Sequence, residues 1–101
     1  MGGGNLVVHI HNLRDGFPIF KALDSETRIA IVELLANKGP MGMTEIAEEL
    51  GITAGAITMH MKILAEAGIV CIEPSKGKHG IKKICSATDR KVIIESPCKS
   101  N

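Results

Sequence analysis

Tryptophan and tyrosine are absent, and the only phenylalanines are Phe17 and Phe20. Surfaces that bind single-stranded RNA or DNA stack bases on exposed rings, so the chain is poorly equipped for that work, and both phenylalanines read as core. No apolar stretch reads as a membrane span or a secretory leader, and no membrane partner is expected. Three cysteines, Cys71, Cys85 and Cys98, are odd in number and lack zinc-type spacing. That argues against a disulfide framework and makes a reducing cytoplasm the default compartment. No nucleophile sits beside a base, no glycine-rich phosphate loop follows a strand and no paired acids mark a cleft, so neither an enzyme nor a cofactor is expected. Nor does one charge dominate: the formal net charge is +1. Any argument for a nucleic-acid partner must therefore rest on where the charges lie.

What is present suffices for one small domain. With 45% hydrophobic residues in a chain of 101, a modest core forms without disulfides or metal. The charges are segregated. Between Ser75 and Lys91 stand Lys76, Lys78, Lys82, Lys83, Arg90 and Lys91 against Asp89 alone. From Asp24 to Glu49 stand Asp24, Glu26, Glu33, Glu45, Glu48 and Glu49 against Arg28 and Lys38. A basic end on an acidic body would orient the domain on a polyanion.

The run from Thr44 to Val70, TEIAEELGITAGAITMHMKILAEAGIV, reads as two short helices joined at Gly51. Ile46, Ala47 and Leu50 fall on one face of the first, and Ile57, Met61 and Leu64 on one face of the second, so the two faces share a core. Gly51 supplies the permissive backbone of a tight turn, and Ala47 lets the helices cross closely. Thr44 and Thr53 are placed as N-caps, Glu45 puts a carboxylate in a first turn, and Gly68 fits as a C′ terminator. A helix-turn-helix is the expectation, with a purely structural helical hairpin as the alternative.

The segment that follows, VCIEPSKGKHGIKKICSA, reads as strands Val70 to Glu73 and Ile81 to Ala87 around a basic tip, Ser75 to Gly80. A hairpin after a recognition helix is a wing. Lys76, Lys78 and His79 at its tip, with Lys82 and Lys83 behind, put positive charge where a wing meets a phosphate backbone or minor groove. A solvated surface hairpin is the alternative. Cys71 and Cys85 are symmetric about Lys78, which predicts near neighbours across the hairpin; buried small hydrophobes are the favoured reading and a thiol switch the other.

Ahead of this core, Met1 to Gly4 reads as a leader, and Leu6, Val8 and Ile10 alternate with Val7, His9 and His11 as in a strand over Asn5 to Asn12. His9 and His11 share a strand face at a spacing that holds a metal. Two histidines are an incomplete site and no carboxylate lies close in sequence, so solvent-facing histidines are the expectation and no metal site is assigned. Arg14 to Pro18 marks a turn, Ile19 to Leu23 a short helix, and Asp24 or Ser25 the cap of a helix ending at Lys38-Gly39-Pro40. In that helix Ile29, Val32 and Leu35 form one face, widened by Ile31 and Leu34. Val92 to Glu95 is a further strand or the start of a helix, and Pro97 closes it. The implied organisation is a leader and strand over 1–12, a domain over 13–95 and a tail over 96–101.

Phe20 to Val70 resembles the ArsR-like family of winged-helix transcriptional regulators. The likeness is carried by ALDSETRIAIVELL, Ala22 to Leu35, and by EIAEELGIT followed by AGAITMHMKILAEAGIV, with its His-hydrophobic-Lys-x-Leu-x-x-Ala-Gly-hydrophobic-Val ending. MarR-like regulators share parts of it. The resemblance implies an α+β, mainly α fold: a winged helix-turn-helix of helices plus a small antiparallel β wing, acting as a homodimer on double-stranded DNA with two recognition helices in successive major grooves. The recognition helix would be 53–67 and the wing tip 75–80. It further implies DNA contacts at Thr53, Ala54, Gly55, Thr58, Met59, His60 and Lys62 of the helix and at Lys76, Lys78 and His79 of the wing. Metal-sensing members carry a Cys-x-Cys pair where this chain has Gly42 and Thr44, and the C-terminal carboxylate and histidine site is also missing, so the metal-sensor role does not carry over.

The expected function is sequence-specific DNA binding for transcriptional control, with no effector named. A winged helix that binds a partner protein is the competing class, kept open by the apolar positions Ala54, Gly55 and Met59 where base-reading side chains are expected. The chain is then a minimal regulator or the DNA-binding part of a longer one. The N-terminal strand pairs either with the wing or with a second subunit.

Overall fold

The computed structural model describes residues 6–77, 80–88 and 90–95. In chain order these form β1 (Leu6–Ile10), a 3-10 turn (Leu13–Gly16), α1 (Phe17–Leu23), α2 (Glu26–Lys38), β2 (Met41–Gly42), α3 (Met43–Leu50), α4 (Ala54–Glu66), β3 (Val70–Gly77), β4 (Gly80–Ala87) and β5 (Arg90–Ile94). Strands β2, β4 and β3 make an antiparallel sheet in that order, and β1 pairs in parallel with β5. Within the chain the N-terminal strand therefore pairs not with the wing but with the last described strand, from Leu6 opposite Arg90 to Ile10 opposite Ile94.

Three helices close over one face of the antiparallel sheet. Ile31 and Leu35 of α2, Ile46 and Ala47 of α3, Ile57, Met61 and Leu64 of α4, Val70 of β3 and Cys85 of β4 form the buried cluster, with Ala22 of α1 at its edge. The expected faces of α3 and α4 are the buried ones. In α2 the stripe is centred differently: Ile31 and Leu35 are buried, Val32 and Leu34 half-buried, and Ile29 is exposed. Ile31 and Leu35 are four residues apart and share one side of the helix, and α2 turns that side inward.

Local chemistry fixes the boundaries. The Ser25 hydroxyl accepts the Arg28 amide N–H at 3.2 Å, which makes Ser25 the cap of α2. Gly51 ends α3 in the left-handed region, φ 68° and ψ 35°, where a Cβ is costly, and this sets the turn into α4. Thr44 is not a cap. The chain passes from β2 straight into α3 at Gly42, whose N–H donates to Glu45 Oε1 at 2.8 Å, so Thr44 lies inside the first turn. Gly16 answers a packing demand: a Cβ there would stand 2.6 Å from Ile10 Cδ1 and 2.7 Å from Phe20 Cζ.

The wing is longer and its tip shorter than the sequence pattern predicts. Pairing runs unbroken from Val70 opposite Ala87 to Gly77 opposite Gly80, so Ser75, Lys76 and Gly77 are strand residues. Because the hairpin is centred between positions 78 and 79, Cys71 stands opposite Ser86 and Cys85 opposite Ile72. Residues directly opposite share a face and successive ones alternate, so the two thiols lie on opposite faces, Cys71 exposed and Cys85 buried. They are not a pair. Burial pushes the Cys85 thiol pKa above its usual value against the opposing pull of Lys83.

Candidate nucleic-acid interface

The surface that stands out begins at the N-terminus of α4. Thr53 is its cap, with Oγ1 accepting the Ala56 N–H at 3.1 Å. With Ile57, Met61 and Leu64 buried, the helix presents Ala54, Gly55, Thr58, Met59 and Lys62 outward, Met59 at 55% exposure. First-turn amides of a helix have no intrahelical partner and carry the positive end of its dipole, so Ala54 and Gly55 expose backbone donors suited to an anion. Gly55 has no structural reason to be glycine: its φ is negative and a Cβ would meet nothing within 4 Å.

Two polar side chains on this helix are already engaged. Thr58 donates its hydroxyl to the Ala54 carbonyl at 2.9 Å, leaving the oxygen lone pairs outward. His60 is half-buried on the flank of α4, where Arg28 Nη1 lies 3.1 Å from its Nδ1. A guanidinium only donates, so Nδ1 accepts and the ring proton sits on Nε2. The same Arg28 donates through Nε to the Ala22 carbonyl at 2.6 Å, capping α1. Arg28 therefore ties α1 and α2 to α4 and fixes the orientation of His60.

Charge gathers between α4 and the wing. Lys62 and Lys83 line one groove with Met43, Thr58, Glu66 and Ile72. Register places Lys76 opposite Ile81 and Pro74 opposite Lys83, so Lys76 and Lys83 share the wing face that carries Cys85 and Ile72 nearer the core. Lys82, opposite Ser75, lies on the other face. The expected contacts at Lys78 and His79 lie outside the described residues. Glu66 at the far end of α4 sets a limit on where a polyanion would run.

This arrangement of capped helix, turn, presented helix and hairpin matches solved winged helix-turn-helix structures. One is the solution structure of the homodimeric winged helix-turn-helix DNA-binding domain Mb0332 from Mycobacterium bovis, a possible ArsR-family regulator, with a TM-score of 0.62 and 23% identity over 74% of this chain and 65% of that one. The family description "Bacterial regulatory protein, arsR family" matches residues 25–71. The helix-turn-helix, α3 to α4, lies wholly inside that match. HTH-type transcriptional regulator Rv2034 of Mycobacterium tuberculosis is 41% identical over 56 residues, 55% of this chain and 51% of that protein. The uncharacterized HTH-type transcriptional regulator MJ1325 of Methanocaldococcus jannaschii is 44% identical over 52 residues, 52% of this chain and 58% of that one. The chain thus spans about half the length of the curated relatives it matches. Among the described residues no helix is long and apolar enough to cross a membrane.

Sequence reasoning missed one member of this surface and left the facing of another open. Arg28 reads along the chain as an ordinary helix arginine, and only the crossing of α2 with α4 brings it to His60. Lys83 stands behind the tip as its place in the sequence implies, and strand parity turns it toward Lys62; that parity is countable once the hairpin centre is known.

Proposed function

We propose that this chain is a sequence-specific double-stranded-DNA-binding transcriptional regulator, working as a cytoplasmic homodimer and catalysing no reaction. Residues 13–95 form its DNA-binding unit. α4 enters the major groove with Thr53, Ala54, Gly55, Thr58, Met59, His60 and Lys62, while Lys76, Lys78 and His79 of the wing follow the backbone. The observation that carries this reading is the presented first turn of α4, with free amides and a glycine no intrachain contact requires, flanked by Lys62 and the wing lysines. The homodimeric state of the Mycobacterium bovis domain and the exposed apolar residues Val7, Leu13, Phe17, Val92, Ile93 and Ile94 support a two-subunit assembly.

Selection from a random duplex library, followed by binding to the enriched sequence at two salt concentrations, tests it. An inverted repeat bound with a steep salt dependence is expected. Replacing Lys62, Lys76 and Lys78 with alanine should weaken binding to all sequences and lower the salt slope by about one per lysine. Unchanged affinity in that triple variant, or no enrichment at all, would refute the reading and favour a protein partner.

A further inference from the structure

The parallel pairing of β1 with β5 does something the sequence conceals: it brings a carboxylate from the far end of the chain beside the two strand histidines. His9, Lys91, Ile93 and Glu95 share the outer face of this pair, Ile10 being buried on the other. His11 lies just past the end of β1 on that outer side. Glu95 Oε1 is 2.5 Å from His11 Nδ1 and Oε2 is 3.7 Å from His9 Nδ1. The imidazoles stack side by side, ring centroids 5.7 Å apart and planes 13° from parallel. One ligand atom from each of the three groups lies within 4.8 Å of the others.

We propose that His9, His11 and Glu95 bind a divalent transition-metal ion of the zinc class on the outer face of the β1–β5 pair. Two imidazole nitrogens and one carboxylate oxygen are the donor set such ions favour, and water completes the coordination. Metal–ligand bonds of about 2.0–2.2 Å require the donor atoms to draw together by roughly an ångström from their present spread. All three side chains are exposed, at 45%, 71% and 47%, so ordinary rotamer changes accomplish this without moving the backbone. The consequence is mechanical. A two-stranded pair of five residues each is weak by itself, and an ion held by both strands staples the two ends of the domain together.

Zn²⁺ added to the 101-residue chain is the probe, read in two ways. Isothermal titration should give one site per chain, weakened by about tenfold or more in His11→Ala and in Glu95→Gln. Both substitutions fall on exposed side chains, and circular dichroism without metal verifies that each variant is folded. In parallel, imidazole NMR of the unaltered chain should show the His9 and His11 ring signals moving on titration while His60 stays in place. Exposed Cys71 is the competing soft ligand, so the titration is repeated with Cys71 and Cys98 changed to serine, where binding should persist. Binding that survives in both His11→Ala and Glu95→Gln, binding lost with the cysteines, or stationary His9 and His11 signals would each overturn the site.

Discussion

Gly55→Ala separates a structural role from a binding role because the two predict opposite signs. Gly55 is exposed in the first turn of α4, its φ is negative, and a Cβ built there finds open space within 4 Å. A methyl group therefore adds no clash and removes backbone freedom from the unfolded chain, which stabilises the fold by about 0.5–1 kcal/mol. For a domain of this size that is a rise in Tm of roughly 2–8 °C. If DNA approaches the first-turn amides as proposed, the same methyl stands between backbone and phosphate. Loss of one hydrogen bond, about 1 kcal/mol, lowers affinity roughly fivefold. Thermal denaturation and fluorescence anisotropy on the selected duplex measure the two effects on one preparation. A more stable variant that binds with unchanged or higher affinity would refute the placement of the α4 N-terminus against DNA. A less stable variant would refute the reading of Gly55 as structurally idle.

Arg28→Met keeps the length of the side chain but removes the donors to Ala22 and His60, and should cost about 1–3 kcal/mol of stability by urea unfolding. The His60 ring should also lose its fixed tautomer, seen in imidazole nitrogen shifts; an unmoved His60 spectrum would sink the tie between α2 and α4. For the thiols, Cys71 should react with a maleimide in the folded protein while Cys85 stays protected until unfolding, since it is fully buried and its burial-raised pKa keeps it a neutral thiol at pH 7 to 8. Mass spectrometry after labelling checks this, and rapid native labelling of Cys85 would contradict the placement of β4.

What the sequence made legible was local. The α4 stripe Ile57, Met61, Leu64 recurs at helical spacing, and Thr53, Gly51 and Gly68 mark ends by chemistry that acts within a few residues, so these emerged in place. The errors share a cause. Thr44 has the right chemistry for a cap, but β2 pairs with β4 at Gly42 and starts the helix earlier, a fact held by Ile84 rather than by the neighbours of Thr44. The Cys71–Cys85 symmetry failed by half a residue because the hairpin centre lies between positions 78 and 79, and in a period-2 structure that slip reverses a face. Glu95 was invisible as a partner of His9 and His11 because parallel pairing joins chain ends without any local signature.

The apolar look of the recognition surface acquires a physical explanation once the engaged groups are counted. The hydroxyl proton of Thr58 is held by Ala54 and the Nδ1 lone pair of His60 by Arg28, so neither side chain is a free rotor on the surface. On the proposed function, each then offers the duplex a single fixed feature: an acceptor at Thr58 and a donor at His60 Nε2. Groups pre-oriented in this way lose less entropy on binding than free side chains, so a small number of them suffices for orientation. Methyl groups at Ala54 and Met59 complement thymine methyls rather than polar base edges. Much of the discrimination is then left to the shape and deformability of the duplex, read through the backbone by the α4 amides and the wing lysines. Such a reader tolerates single base changes at contacted positions better than changes that stiffen the site. Substituting flexible pyrimidine–purine steps between the half-sites should cost more affinity than most single substitutions under α4. The reverse ranking in a systematic binding series would mean that base contacts, not shape, carry the specificity.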